Sequence, residues 1–472
     1  MFNLFLADLP DIFDDTCSPV EIFNEKFNCL MFADDIILFS ETPSGLQTCL
    51  NNLSEYCNTW QLTVNVNKTK VLIFNKGGHP ITKYKFIYDT EPIEITQSYC
   101  YLGIWFSSSG SFNLALKNST DKALKAFYRL RQLNTRDHVK LTIKLFNSLV
   151  MPIINYGSEA WAPFTMKNLN ANNFMKLCDN VAFEKINIKL CKYILGLNKY
   201  ATNAAVRGEL GKYPLIISSI EHCLKFWFRL HALDPNNHVV KQTYLENVIT
   251  NNHNKSTWSY CIYNLLKHFD FIDIWQNQGT LQPNANILNI RTNIQSKYST
   301  LWLDHIQRPN PNKLLTYSTF KSCFKLETYV IAFPVKTRRN FTKLRISAHS
   351  LAIERGRYCK PKIPQNERFC KLCPYDIVET ERHFLLECPM FKTERELMFE
   401  SLNFLDLNND TDLEQNFLLL MNNLNGDSEV SKIICDYINP CFDIRHDFRE
   451  TNKANSDIAI AQEFVKLACT NL

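Results

Sequence analysis

Two adjacent aspartates between short apolar runs constrain the fold of this chain more than any other feature. Asp34 and Asp35 lie between the runs Cys29–Phe32 and Ile36–Phe39. Short runs rich in β-branched and aromatic residues are typical of buried strands, so the sequence predicts two buried strands joined by a turn that carries both carboxylates. Because neighbouring side chains of a regular strand point to opposite faces, only a bend at the pair brings both toward one site.

Two interpretations of this acidic pair follow from its chemistry. Two ionised carboxylates held close together repel each other, and a divalent cation bound through their hard oxygen ligands relieves that repulsion. Aspartate is also common in ordinary hairpin turns, where its side chain bonds to nearby backbone groups. The dipeptide alone leaves both a metal site and a plain turn open.

The residues after the pair predict one helix between strands. Thr42 and Pro43 form a typical helix start. Apolar residues then recur at helical spacing: Leu46, Cys49, Leu50, Leu53, Cys57 and Trp60. Two further strands are predicted over Leu62–Val66 and Val71–Phe74, with Lys68 in the basic loop between them. The order strand, hairpin, strand, helix, strand, strand predicts an α+β sheet layer, antiparallel and covered by one helix.

This order, together with Phe32-Ala33-Asp34-Asp35, resembles the second half of the palm of reverse transcriptases. The resemblance implies that Asp34 and Asp35 are catalytic and hold Mg²⁺ together with a third carboxylate from an earlier strand. It also implies a catalytic contact of Lys68 with the incoming triphosphate, although a solvated loop lysine is the plain alternative. Tyr101-Leu102-Gly103-Ile104-Trp105 resembles the primer-grip hairpin of non-LTR (LINE-type) retrotransposon enzymes, while Gly103 could also serve only as a strand bulge.

The resemblance implies an RNA-directed DNA polymerase that uses an RNA template, a DNA primer or target and deoxynucleoside triphosphates. The third carboxylate is not evident, since Asp8, Asp11, Asp14 and Asp15 lack a strand-like context. Residues 1–10 resemble the segment just downstream of the family's template-gripping motif, so we expect an N-terminally truncated polymerase that is inactive alone. The alternative is a non-catalytic, zinc-stabilised remnant that binds nucleic acid. A helical scaffold without either activity is a third, plainer option.

Beyond the palm the pattern becomes helical, and the expected division is 1–112 partial palm, 113–235 helical thumb, 236–335 helical linker region, 336–392 basic segment and zinc knuckle, and 393–472 acidic helical tail. A helix from about residue 117 should bury one apolar face and present Lys122, Lys125 and Arg129 to a phosphate backbone, or simply to solvent. The asparagine-rich stretches 236–254 and 277–293 are predicted to be loops or linkers.

The basic segment, residues 336–362, has nine Lys or Arg and one acidic residue. Six of these cations are predicted nucleic-acid contacts: Arg338, Arg339, Lys343, Arg345, Arg355 and Arg357. Cations attract phosphates regardless of base sequence, and Phe341 and Tyr358 could stack on exposed bases. A solvated basic helix is the alternative.

Three cysteines and one histidine follow within nineteen residues, as Cys370-x2-Cys373-x9-His383-x4-Cys388. Thiolate and imidazole ligands at this spacing suit a tetrahedral zinc site, and four protein ligands leave no position for a water nucleophile. The motif therefore predicts structural Zn²⁺, against the alternative of unrelated members of a cysteine-rich chain. A knuckle after a basic stretch resembles the downstream region of non-LTR retrotransposon proteins. No endonuclease pattern is found, so target cleavage is not predicted.

Composition sets the remaining bounds. With 45% apolar residues, 12 glycines, 33 phenylalanines and 19 tyrosines, the chain is typical of a packed, helix-rich protein. No apolar run is long enough for a membrane span. Seventeen scattered cysteines indicate reduced thiols, so we expect an intracellular protein of nucleus or cytoplasm that is not secreted.

Overall fold

The computed structural model describes residues 2–22, 25–78, 83–234, 238–250, 257–278, 283–308, 313–402, 413–422 and 428–469. The chain forms two compact units. The first comprises residues 1–123, 153–183 and 216–293, and the second comprises 124–152, 184–215 and 294–472. Each unit is thus assembled from three separate stretches, whereas the division expected from sequence uses consecutive segments.

The described strands all lie in the first unit: β1 (Val20–Ile22), β2 (Glu25–Phe27), β3 (Cys29–Phe32), β4 (Asp35–Leu38), β5 (Lys70–Leu72), β6 (Phe86–Tyr88), β7 (Glu91–Thr96), β8 (Ser98–Tyr101) and β9 (Ile104–Ser107). They form antiparallel hairpins β1–β2, β3–β4 and β8–β9 and a sheet ordered β5–β7–β6. The expected antiparallel layer is therefore divided into small sheets, and β5 pairs with β7 in parallel.

The predicted strand over Leu62–Val66 is wrong, because this segment has no ladder in the structure. Leu62, Val64 and Val66 instead pack singly against the core of the first unit. Burial of every second side chain produces the same alternation as a strand, even when the backbone pairs with no neighbour. The next predicted strand is present, shortened to β5.

The predicted helix after the acidic pair is confirmed as Pro43–Thr59, with Thr42 as its N-cap. The Thr42 hydroxyl accepts a hydrogen bond from the Gly45 N–H at 3.0 Å. Its buried residues Leu50, Leu53 and Tyr56 form a core with residues of the small sheets. The helix therefore covers the sheet layer as expected.

Many helices accompany the small sheets, so the mixed helix and sheet architecture agrees with the α+β prediction. The described helices are α1 (Phe2–Phe5), α2 (Pro43–Thr59), α3 (Asn113–Gln132), α4 (Val139–Leu149), α5 (Met151–Asn155), α6 (Ser158–Thr165), α7 (Phe174–Asn180), α8 (Glu184–Leu195), α9 (Asn203–Leu210), α10 (Ile216–His231), α11 (Val239–Thr250), α12 (Trp258–His268), α13 (Ile272–Gln276), α14 (Pro283–Gln307), α15 (Leu315–Phe320), α16 (Thr328–Ala332), α17 (Val335–Arg345), α18 (Ala352–Arg355), α19 (Lys392–Ser401), α20 (Leu413–Met421) and α21 (Ser428–Cys469).

The asparagine-rich stretches are largely helical, which corrects their prediction as loops. They contain α11 and the start of α14, while 236–237, 251–254 and 279–282 lie outside the described residues. In α14 the buried residues recur at helical spacing: Ile287, Ile290, Ile294, Tyr298, Trp302 and Ile306. Burial of such a stripe stabilises a helix despite the low helix propensity of asparagine. Among the described helices, none is both long and apolar enough to cross a membrane.

Candidate metal and nucleic-acid sites

The acidic pair lies at the tip of the β3–β4 hairpin. Phe32 pairs with Asp35, and Ala33 and Asp34 form the connecting turn, with Ala33 at a φ of 55°. Two-residue hairpin turns require a positive φ, which here falls on an alanine. The predicted hairpin is confirmed, but the prediction that its strands are buried is wrong: Leu30 and Phe32 are 47% and 61% exposed, and the other apolar residues of β3 and β4 are half-buried. Both aspartates are exposed.

Strand register separates the two faces of this hairpin. Met31 pairs with Ile36, and both pack against the core that contains α2. Asp35 is the next residue before Ile36, so its side chain points to the opposite face, which it shares with Phe32. Asp34 belongs to the turn, so the bend rather than a strand sets its direction. Both carboxylates are exposed at this tip and are accessible to a cation.

A tyrosine from the β8–β9 hairpin lies near the acidic pair. Partial burial and the negative charge of Asp35 raise the pKa of Tyr101. Leu102 and Gly103 form the hairpin turn with φ values of 45° and 80°, so Gly103 is a turn residue and not a bulge. The Tyr156 hydroxyl donates to the Leu102 carbonyl at 2.6 Å and fixes this turn. Sequence spacing gave no signal that would place Tyr101 beside Asp35.

Lys68 is exposed in the turn before β5. Its N–H donates to the Asn65 carbonyl at 3.1 Å, and its carbonyl accepts from the Tyr99 hydroxyl at 3.1 Å. Among the described residues, no ion pair joins Lys68 to Asp34 or Asp35. The contact of Lys68 with a triphosphate therefore stays a prediction.

The four predicted zinc ligands come together in the second unit. The candidate ligand atoms of Cys370, Cys373, His383 and Cys388 all lie within 4.8 Å of one another, and Cys373 Sγ is 3.7 Å from His383 Nε2. Within the described ranges, this is the one group of three or more His, Cys, Asp or Glu side chains close enough to share a metal ion.

The acidic pair has no such third ligand, because no other carboxylate of the described residues groups with Asp34 and Asp35.

Short backbone contacts hold each half of this cysteine and histidine cluster. The Cys370 N–H donates to the Ile377 carbonyl at 2.8 Å, next to an antiparallel bridge between Phe369 and Val378. The Cys388 N–H donates to the His383 carbonyl at 2.7 Å and closes a π-helical turn. A strand-like loop thus supplies the first two ligands, and a helical turn supplies the others.

The thiols of the cluster influence one another's ionisation. A hydrogen bond from Cys370 lowers the pKa of the Cys388 thiol, while the same contact and burial raise the pKa of Cys370 to about 12. Several thiolates so close together repel each other unless a cation binds them. His383 Nδ1 lies 3.7 Å from the Glu387 carboxylate. This separation is too long for a hydrogen bond, so His383 Nδ1 is a buried atom without a hydrogen-bond partner among the described residues.

The predicted basic face of α3 is exposed. Lys122, Lys125 and Arg129 are accessible to solvent. The opposite face is buried through Ala123, Phe127 and Leu130, as expected. Contact of the three cations with phosphate stays a prediction.

Two predicted phosphate contacts in α17 are corrected, because Arg338 and Arg345 are fully buried. Arg345 bonds both oxygens of Glu209 through Nε and Nη2 at 3.0 Å. Arg338 donates to the Ile194 and Phe333 carbonyls at 2.8 Å. These two side chains pair with polar groups inside the protein and are not accessible to nucleic acid.

The other aromatic and cationic residues of the basic segment divide by exposure. Phe341 is buried, so its predicted stacking on bases is also wrong, whereas Tyr358 is 68% exposed. Arg339 and Arg355 are exposed, and Lys343 is half-buried. Arg357 donates to Glu354 at 2.8 Å. The accessible part of the segment is therefore smaller than its charge suggests.

Comparison with known proteins agrees with the resemblance in the first part of the chain. A protein of Caenorhabditis elegans named as an uncharacterized transposon-derived protein is 30% identical over 135 residues, which are 28% of this chain and 48% of the relative. A Drosophila melanogaster protein named as a probable RNA-directed DNA polymerase from transposon BS is 29% identical over 189 residues, 36% of this chain and 19% of the relative. The chain thus spans less than half of each relative.

No solved structure matches this chain. Its residues 1–106, which include the acidic hairpin, α2, Lys68 and Tyr101, match the family described as reverse transcriptase (RNA-dependent DNA polymerase). Together with the relatives, this match supports a reverse transcriptase of a transposon.

Proposed function

We propose that this chain is part of the RNA-directed DNA polymerase of a non-LTR retrotransposon. The observation that carries the proposal is the exposed tip with Asp34 and Asp35, inside the region that matches reverse transcriptases. The substrates would be an RNA template, a DNA primer and deoxynucleoside triphosphates. One relative is named as an RNA-directed DNA polymerase, which supports the same reaction class.

Asp34 and Asp35 would hold Mg²⁺ in this role, since exposed carboxylates are the hard ligands that the ion prefers. In nucleotidyl transfer, Mg²⁺ activates the attacking hydroxyl and neutralises charge on the triphosphate. Lys68 would attract the triphosphate from its exposed turn. Tyr101, near Asp35, would line the same site.

The described residues bring no third carboxylate to the pair. Two carboxylates alone would bind two metal ions weakly, because each ion needs fixed ligands. We therefore propose that the purified chain does not carry out processive DNA synthesis by itself.

Metal binding and synthesis can be tested separately. Electron paramagnetic resonance with Mn²⁺ as a Mg²⁺ probe should detect binding that Asp35→Asn weakens at least severalfold. Asp89→Asn is the matched control, because Asp89 is another exposed aspartate in a hairpin turn of this unit. Equal Mn²⁺ binding by both variants would contradict a metal role for the pair.

Primer extension on an RNA template with Mg²⁺ then tests the reaction. We expect no extension by the purified chain. Synthesis that is lost in Asp35→Asn and kept in Asp89→Asn would overturn the proposed inactivity and establish the polymerase.

The second candidate is a non-catalytic nucleic-acid-binding remnant stabilised by zinc, and the cysteine and histidine cluster favours it. Cys370, Cys373, His383 and Cys388 would hold Zn²⁺ in a closed structural site. Elemental analysis should give one zinc per chain, lost in Cys373→Ser and kept in Cys323→Ser, which changes an exposed thiol elsewhere. Retention on RNA or DNA that does not weaken with salt would count against binding by this remnant.

A further inference from the structure

The exposed side of α8 carries a stripe of lysines. Lys185, Lys189 and Lys192 follow one another at spacings of four and three residues, so they share one helical face. Lys185 and Lys189 are exposed, and Lys192 is half-buried. The opposite face is buried through Ile186, Leu190 and Ile194. These lysines therefore belong to the surface of the second unit.

Aromatic rings from α3 and α8 lie beside Lys189 and beside Arg131 of α3. The Arg131 guanidinium is 5.9 Å from the centroid of the Tyr128 ring and 5.3 Å from that of Tyr193. The Lys189 ammonium is 5.5 Å from the Tyr128 centroid and donates to its hydroxyl at 3.1 Å. Tyr128 is 42% exposed, so one ring remains accessible between two cations.

The loop after α8 continues this pattern. Lys192 donates to the Lys199 carbonyl at 2.8 Å, which fixes the loop to the helix. The Lys199 ammonium is 5.2 Å from the centroid of Tyr200, whose side chain is 72% exposed. An exposed ring beside a cation still has an open π face for a ligand.

Another exposed ring of the second unit also lies beside a cation. The Lys313 ammonium is 5.7 Å from the centroid of the exposed Tyr358 and 3.4 Å from its hydroxyl. Contacts through Lys189, Lys192 and Lys199 join the rings of Tyr128 and Tyr200 in one patch, which does not need this pair.

Positive charge on most of this patch is uncompensated. In the described part of the chain, no ion pair joins Arg131, Lys189, Lys192 or Lys199 to a carboxylate. By contrast, Lys225 of the first unit pairs with Glu221 at 2.8 Å. A negatively charged ligand with flat groups can pair with such cations and stack on the exposed rings.

We propose that Tyr128, Arg131, Lys189, Lys192, Lys199 and Tyr200, the basic–aromatic face, bind a single-stranded nucleic acid. Phosphates would contact the cations, and unpaired bases would stack on the exposed rings, which bases inside a duplex cannot do. The proposal rests on the proposed nucleic-acid function and deepens it by locating where an unpaired strand binds. None of these residues was singled out by sequence.

Fluorescence anisotropy of the zinc-containing full chain with a labelled 20-nucleotide poly-uridine RNA tests this assignment. Tyr200→Ala should weaken binding about tenfold through lost stacking, while Tyr200→Phe keeps the ring and should stay near the parent value. Lys189→Ala and Lys199→Ala should each reduce the salt slope by about one. Lys432→Ala, an exposed lysine of the same unit, should change neither quantity.

The outcomes separate the two levels of the proposal. If the parent chain binds the RNA and Tyr200→Ala binds equally well, the basic–aromatic face is overturned while a nucleic-acid function stands. If the parent chain binds no oligonucleotide at low salt, both fail. Equal competition by polyglutamate would instead indicate an acidic protein partner and overturn the nucleic-acid assignment. Circular dichroism of each variant checks that it is folded.

Discussion

Arg345 joins a buried ionic cluster in which every charge has an opposite partner. Its bidentate contact with Glu209 is extended by Tyr329, which donates its hydroxyl to the same carboxylate, and by Glu327 at 3.6 Å. The neighbouring rings of Tyr329 and Phe341 also lie close to the guanidinium, with centroids at 5.4 Å and 5.6 Å. Buried charges are tolerated only when they are paired and hydrogen-bonded, so this cluster depends on each member.

Arg345→Met should lower the free energy of unfolding by about 3–5 kcal/mol, because Glu209 is left as an uncompensated buried charge. Combining it with Glu209→Met should recover part of the loss, since the orphaned charge is then removed. Urea denaturation followed by circular dichroism measures both effects. Lys432→Met, at an exposed lysine, is the control. A single variant within about 0.5 kcal/mol of its parent, the range of ordinary surface changes, would show that the cluster contributes little.

His231 gives the first unit a predicted pH dependence. Its ring packs edge-on against Trp227 and Tyr244, and Lys241 Nζ lies 3.5 Å from Nδ1. Burial, followed by the charge of Lys241, lowers the pKa of His231 from 6.5 to about 4. Between these pH values the unfolded chain binds more protons than the folded chain. The contribution of His231 to the free energy of unfolding is therefore fully present above pH 6.5 and is lost as the pH falls toward 4.

His231→Phe should therefore flatten the decline of melting temperature across that range, because phenylalanine keeps the ring and cannot take a proton. His446→Phe removes an exposed histidine and serves as the control. Thermal denaturation at several pH values measures the difference between the two variants. An unchanged slope in His231→Phe would mean that other groups cause the acid sensitivity.

At the scale of elements, the start of α2 depends on Thr42. The side-chain bond to the Gly45 N–H satisfies a helix N–H that has no partner within the helix. Thr42→Ala should cost about 1 kcal/mol, while Thr42→Ser keeps the hydroxyl and should cost less. Hydrogen exchange of residues 43–59, followed by mass spectrometry, should show about fivefold lower protection in the alanine variant. Thr59→Ala, at the exposed end of the same helix, should leave protection unchanged.

Elements with strong local signals were the ones that the sequence could predict. The cap, the proline and the apolar period of α2 all favour the same helix, and the acidic hairpin is specified by its two short apolar runs. Leu62–Val66 and α14 lacked that agreement. In α14 the asparagines indicate loop, and only burial of the apolar stripe decides for helix.

Across the whole molecule, the sequence separation of contacting residues explains which site residues can be predicted from sequence. The four candidate zinc ligands lie within nineteen residues, so their spacing alone predicts the cluster. By contrast, the contacting residues Arg345 and Glu209 are 136 residues apart in the sequence, and Lys189 and Tyr128 are 61 residues apart. Contacts over such separations depend on packing of helices that no local pattern encodes, so the buried role of Arg345 and the basic–aromatic face required the fold.

The cysteine and histidine cluster also connects distant parts of the second unit. Between its ligands, Glu379 accepts two hydrogen bonds of 2.7 Å from Arg445 of α21. Glu381 lies 2.9 Å from His349 Nε2 and accepts from Ser347 at 3.2 Å. If zinc fixes the segment that carries both carboxylates, it also fixes these contacts. Metal binding should therefore stabilise elements well beyond the four ligands.

Removal of zinc with a chelator, or Cys373→Ser, should increase hydrogen exchange in residues 369–391 and in the part of α21 around Arg445. Structural zinc contributes about 10–16 kcal/mol of binding free energy in isolated zinc-finger peptides, so loss of much of the local protection is expected. Residues 43–59 belong to the first unit and should exchange as before. Cys323→Ser, which spares the cluster, should resemble the parent chain. Unchanged exchange around Arg445 after zinc loss would mean that Glu379 holds α21 without help from the metal.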